Sequence, residues 1–187
     1  MVAMLVAAFF EDPLFCWFLP EEGERRKWLG WFHHRVLNET EPLGGAYTLE
    51  SAPSDGAVLV YPPRAWPPPA LRVLAAWPLP PAIPSWRFFR RGLHVDRRIH
   101  ASHPSEPHLY VYALGVHPKQ KGKGLGGALL RHALAIADKA GTASYLETAN
   151  PVNLPLYRKF GFETTSEIAT HGGPPVWTMV RGPSRVA

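Results

Sequence analysis

Residues 109–127 constrain this chain more tightly than any other stretch. LYVYALGV (109–116) is continuous, apolar and rich in aromatic and β-branched residues, which predicts a strand. HPKQKGKGLGG follows as a basic, glycine-rich loop, and residues 125–140 predict a helix that Gly141 ends. The only polar stripe on that helix is Arg131, Asp138 and Lys139, so most of its surface is buried. Between strand and helix, glycines let the backbone turn tightly and aim N–H groups into one concavity. The helix N-terminus adds partial positive charge, and the result is a cradle for phosphate. Lys119, Lys121 and Lys123 strengthen its field.

Gly122-Lys123-Gly124-Leu125-Gly126-Gly127 also satisfies G-x-G-x-x-G, the dinucleotide fingerprint, and Glu147 stands about 20 residues on, where a ribose-binding acid would. Two features oppose that reading. The fingerprint turn follows its strand at once, whereas His117 to Lys121 intervene here, and too little chain follows to complete a nucleotide-binding sheet. A nucleoside-triphosphate P-loop is excluded because no Lys-Ser/Thr pair follows the last glycine.

The whole chain, 1–187, reads as one domain, long enough to bury roughly 70% of the surface its unfolded form exposes. With 46% hydrophobic and 19% charged residues it is neither disordered nor fibrous. Many of its prolines cluster at 62–84, predicting a strand exit, short helical pieces and a packed irregular connection. Residues 1–10 predict a helix with a break at Pro13. A second, about Glu21 to Asn38, turns Trp28, Trp31, Phe32 and Val36 inward. AYTLES and AVLVY flank the turn Ser54-Asp55-Gly56 as a hairpin. In 86–100, Arg87, Arg90, Arg91, His94, Arg97 and Arg98 share one helical face. That face is expected to meet water, with Trp86, Phe89, Leu93 and Ile99 nearer the core. ASYLET predicts the next strand, Asn150 or Asn153 the cap of a short helix, and FETTSEI and VWTMV the last strands.

Cys16 is the only cysteine, so a reducing, cytoplasmic setting is expected. MVAMLVAAFF lacks a basic leader region and runs into Glu11-Asp12-Pro13, which fits neither a signal peptide nor a membrane span. The net charge of +5 suggests an anionic partner. No aromatic residues interleave the basic face of 86–100 as stacking platforms, so a nucleic acid is not expected. The histidines are scattered without a carboxylate pattern, so no metal is expected.

Two stretches resemble the GNAT superfamily of N-acetyltransferases. Lys121-Gly122-Lys123-Gly124-Leu125-Gly126 is similar to that family's Gln/Arg-x-x-Gly-x-Gly/Ala coenzyme motif. Asn150…Leu156-Tyr157-Arg158-Lys159-Phe160-Gly161-Phe162 resembles its Asn-x-x-x-x-x-Leu-Tyr-x-x-x-Gly-Phe. Ala7-Ala8-Phe9-Phe10-Glu11-Asp12-Pro13, Gly115-Val116-His117-Pro118, Leu146-Glu147-Thr148 and Asn153-Leu154-Pro155-Leu156-Tyr157 are closest to puromycin N-acetyltransferase-like members. The chain departs from the family at Lys121, at Tyr110 where a glutamate is usual, and at its front, where a helix is expected first and the usual first strand is either absent or has its place covered by another segment.

The resemblance implies an α/β fold: a twisted, mixed, mostly antiparallel sheet, splayed between the family's fourth and fifth strands, with helices on both faces. It implies acetyl-CoA as co-substrate, held over 107–182 by Leu114, Val116, Lys121, Gly122, Lys123, Gly124, Leu125, Gly126, Gly127, Asn150, Asn153 and Tyr157. Residues 1–100 would form the acceptor side. Val116 N–H would meet the thioester oxygen and Tyr157 would protonate the departing sulfur. Glu147, the nearest carboxylate, would act as base, or else cap the next helix. Trp17, Trp31, Trp66, Tyr110 and Tyr112 are candidates for an aromatic acceptor pocket. The expected acceptor is a primary amine of a small molecule, taken by a monomer or homodimer. Transfer to a protein N-terminus or lysine, or non-catalytic acyl-CoA binding, stays open.

Overall fold

The computed structural model describes residues 1–76, 78, 80 and 85–184. Among these, six strands form one sheet: β1 (Ala46–Thr48), β2 (Gly56–Tyr61), β3 (His108–Val116), β4 (Ala143–Thr148), β5 (Glu163–Ile168) and β6 (Val176–Arg181). Their order is β1-β2-β3-β4-β6-β5, and every neighbouring pair is antiparallel except β3–β4. The mixed sheet is therefore as expected, and β1 forms its edge with no strand before the first helix.

Helices cover both faces, and the period-two pattern of β2 shows why. Val58 and Val60 point to one face, where Leu129, Leu130 and Ala133 of α6 (Leu125–Ala140) close over them. Ala57 and Leu59 point the other way, onto Met4 and Leu5 of α1 (Val2–Phe9) and Val36 of α3 (Glu22–Thr40). Each such fully buried leucine or valine contributes about 1.5–3 kcal/mol, so a strand buried on both faces reads as an unbroken apolar run.

Two local expectations change. Pro13 does not end helical structure but opens α2 (Pro13–Phe18): the Asp12 side chain accepts from Leu14 N at 2.9 Å and caps it. Proline fits there because its missing N–H would be unpaired anyway. Within α5 (Trp86–Ser102), Ile99 packs inward as expected, but Trp86, Phe89 and Leu93 are exposed, and Val95 and Phe88 make the inward contacts in their place. The helix is rotated from the expected face because α2 and Trp28 cover Phe88. The proline-rich stretch contains a short helix, α4 (Ala70–Ala76), while residues 77, 79 and 81–84 lie outside the described residues. No helix among the described residues is long and apolar enough to cross a membrane.

Candidate active site

The parallel pairing of β3 with β4 runs from His108↔Ala143 only to Val111↔Leu146, although both strands continue. Next along β3 the register with β2 jumps from Val111↔Val60 to Ala113↔Leu59, leaving Tyr112 as the extra residue of a bulge. A bulge bends its strand and deepens the twist, so β3 leaves β4 and the sheet forks. Beyond the fork, His117 N–H donates to Asp55 O on the β2 side at 2.8 Å. Polar groups of successive residues alternate sides along a strand, so those of Leu114 and Val116 face the gap. The backbone edge of β3 is open there to a ligand.

At the end of β3 the loop folds over the gap. Gly122 and Gly124 have φ of 81° and 79°, the left-handed region that glycine enters without penalty. Gly124 is the N-cap of α6 and no side chain caps that helix. The first helical bond is Ala128 N–H to Gly124 O, so the N–H groups of Leu125, Gly126 and Gly127 have no helical partner. These glycines, Lys121, Leu114, Val116, Asn150, Asn153 and Tyr157 line a cavity of about 540 Å³. Lys123 turns aside, its Nζ donating to Gln120 Oε1. Asn150 Oδ1 accepts from Val152 N, and Asn153 Nδ2 donates to Thr148 Oγ1, so both asparagines brace the turn beside the cavity. The set suits a long ligand with a pyrophosphate at one end and an extended amide arm along β3.

A second cavity, of about 160 Å³, lies against the first and shares Phe9, Asp12, Leu114, Asn153 and Tyr157 with it. Phe15, Phe32, Tyr110, Tyr112, His33 and Glu147 complete its walls. Tyr157, on α7 (Leu154–Lys159), is 6% exposed at the junction. Burial, reinforced by the Asp12 and Glu147 carboxylates, holds its phenol well above the usual 10, so it stays protonated and can donate. Burial likewise raises Asp12, against the two backbone N–H groups it accepts. Glu147 sits one residue past the last β3–β4 pair, at the crotch of the fork. It does not cap the following turn, which Thr148 and Asn150 do.

The other aromatic candidates lie elsewhere. Trp66 packs beside the second cavity against Tyr61, Tyr110 and His103. Trp31 donates to Pro78 O and meets Trp28. Trp17 lies under Arg91 in a separate basic cleft with Arg87, Arg90 and Arg97. No group of three or more His, Cys, Asp or Glu side chains placed to hold a metal occurs among the described residues. Sequence reasoning missed Phe9, Asp12 and His33 as cavity walls. Only Asp12 carried a local signal, an Asp-Pro pair of the kind that starts a helix.

A model of the acetyltransferase (GNAT) family matches residues 5–162. The chain belongs to the GNAT acetyltransferase family. It is an acyltransferase, and the forked sheet, the open β3 edge and the uncapped α6 are this GNAT chain's version of the family architecture. Solved structures agree in fold. A Corynebacterium glutamicum protein described as histone acetyltransferase HPA2 and related acetyltransferase is 22% identical, with a TM-score of 0.62 over 98% of this chain and 89% of that one. The polyamine N-acetyltransferase of Drosophila melanogaster, which forms N-acetylagmatine, is 17% identical, with a TM-score of 0.67 over 97% and 92%. At these identities the likeness is one of fold.

Proposed function

We propose that this GNAT acetyltransferase moves an acetyl group from acetyl-CoA to a primary amine of a small molecule, by direct attack in a ternary complex. The carrying observation is the junction of the two cavities at Leu114, Asn153 and Tyr157. A long cavity with free backbone donors meets a small aromatic one; Tyr157 and Asp12 stand on the shared wall, and Glu147 lines the smaller cavity. The small size of the second cavity favours a compact amine over a folded protein surface. The three uncapped N–H groups of α6 fit a pyrophosphate, and the free β3 edge fits a pantetheine arm.

When bound, the coenzyme supplies a thioester whose carbonyl carbon takes the amine. Val116 N–H donates to the carbonyl oxygen as negative charge gathers there. Glu147 removes a proton from the acceptor ammonium, and the Tyr157 hydroxyl gives its proton to the sulfur. Leu114 and the aromatic walls hold the reactants together and exclude water. With Cys16 as its single cysteine the chain can form no internal disulfide, which fits a reducing, cytoplasmic setting.

Acetyl-CoA at 100 times its Kd should stabilise the protein by about 2.7 kcal/mol in a thermal-shift measurement. Thiol release over a panel of primary amines then separates an enzyme from a binder. Tyr157→Phe should lower kcat by about 10²–10⁴-fold with coenzyme binding intact. An unchanged kcat would remove Tyr157 as the acid.

A further inference from the structure

We infer that His103 pairs with Glu147 to take up the proton that the acceptor ammonium must lose, and that His108 fixes His103 in the tautomer able to receive it. The inference deepens the proposed reaction and rests on it for the identity of the acceptor; the arrangement of protons in the pair does not.

The tautomers follow from a chain of contacts. His108 Nδ1 lies 2.8 Å from Glu106 O, and a carbonyl only accepts, so Nδ1 carries the hydrogen. Burial, aided by the neighbouring His103 and opposed by the hydrogen bond to Glu106 O and by the Glu147 charge, leaves the His108 pKa below its ordinary value, which keeps the ring neutral and its Nε2 bare. That Nε2 is 3.1 Å from His103 Nδ1, which must therefore donate. A neutral His103 is left with a bare Nε2, and this atom lies 3.5 Å from Glu147 Oε1. The two side chains are 7% and 9% exposed, and neither atom has a hydrogen-bond partner.

Two buried lone pairs thus face each other across a gap that one proton would fill. Leaving them bare costs desolvation without return. The groups around them cannot supply that proton. Tyr110 from β3 and Tyr145 from β4 face Glu147, and burial followed by the carboxylate's charge raises both phenols far above 10. They remain O–H groups that keep their own protons, and the gap between Glu147 Oε1 and His103 Nε2 stays open. His100 of α5 lies 6.2 Å from the His103 ring. Trp66 stacks on that ring at 5.0 Å and 21°, a face suited to a cation.

Glu147 lines the smaller cavity beside Tyr157, so the missing proton can come from an acceptor in that cavity. An ammonium N–H bond breaks, the proton passes to Glu147 and is shared with His103 Nε2, and the neutral amine attacks. The amine loses a second proton as the amide forms. Tyr157 gives one to the sulfur and is restored by that second one. The pair then returns its proton to solvent, one per turnover. His103 acts through Glu147 and is a positioning residue.

Histidine-¹⁵N NMR of the full chain, assigned with His103→Gln and His108→Gln, reads the tautomers without any substrate. At pH 8 both rings should carry hydrogen on Nδ1 with Nε2 bare. A hydrogen on His103 Nε2 would make it a plain donor to Glu147 and overturn the inference. The second arm uses tyramine, agmatine and benzylamine as acceptors. His103→Gln should lower kcat about 10–100-fold at pH 7 with KM for acetyl-CoA unchanged, and the deficit should close toward pH 10, where the amine arrives unprotonated. A deficit constant across pH would mark a structural role and also overturn it. If the wild type acetylates none of the three, the small-amine reading fails, and the NMR result alone decides the pairing.

Discussion

The two cavities that meet at Tyr157 are built from different materials. The larger one offers main-chain groups to a ligand: the free edge of β3, the turn at Gly122 and Gly124, and the unpartnered N–H groups at the start of α6. The smaller one is walled by side chains brought from helices and strands far apart in the chain, Phe9, Phe15, Phe32, Tyr112 and Glu147 among them. Main-chain donors are fixed by the fold and do not titrate, so the first cavity should respond weakly to pH and to surface substitution. Packed aromatic rings and buried ionisable groups make the second sensitive to both.

His33 offers the largest test of that contrast. It is fully buried on the smaller cavity's wall, its Nδ1 bonded to Leu29 O at 2.8 Å and its Nε2 unpartnered. Burial pushes its pKa down to about 4, against an unfolded value of 6.5. The native state therefore keeps the ring neutral while the unfolded chain takes up a proton as pH falls. Stability is complete above about pH 6.5, declines below it and levels off near pH 4. At about 1.4 kcal/mol per pKa unit, the loss is about 3 kcal/mol. Urea midpoints at pH 7 and pH 4 would measure it, and His33→Phe should remove that part of the pH dependence. An equal acid loss in the variant would assign it to other groups.

Gly126→Asp separates the larger cavity from the fold. An added Cβ meets only Val116 Cγ2, at 3.5 Å, so the site has room. A carboxylate in the first turn of α6 is favourable to the helix by about 0.3–1 kcal/mol. The same charge opposes a pyrophosphate in the cradle and should weaken coenzyme binding on the order of 100-fold. Calorimetric titration beside a melting curve gives both numbers. Retained coenzyme affinity in a folded variant would move the phosphates away from α6.

The contrast also explains what could be read in advance. Main-chain chemistry leaves a local trace: the apolar strand leads into Gly122 and Gly124 at left-handed positions, and the short motif from Tyr157 to Gly161 follows downstream. Burial on both faces likewise made β2 and β3 legible as apolar runs. The smaller cavity leaves no such trace. His103 and Glu147 are far apart in sequence and meet only because α5 ends over the fork of the sheet. The same limit applies to α5 itself. Its basic face was legible, but the inward choice of Phe88 over Trp86 and Phe89 depends on where α2 and α3 pack.

Lys121 gives the smallest effect and sharpens the contrast furthest. It stands where the family motif has Gln or Arg, it lines the larger cavity, and its residue is exposed. If the cradle binds through main chain, this ammonium adds only a screened attraction for phosphate, about 0.2–1 kcal/mol for an exposed pair. Lys121→Ala should then weaken coenzyme binding by no more than about five-fold at low salt, and the difference should shrink as ionic strength rises and the Debye length falls below 10 Å. Titrations at two salt concentrations test this. A large loss that persists at high salt would mean that the side chain, not the backbone, carries the phosphate contact, and the larger cavity would then be built of the same material as the smaller one.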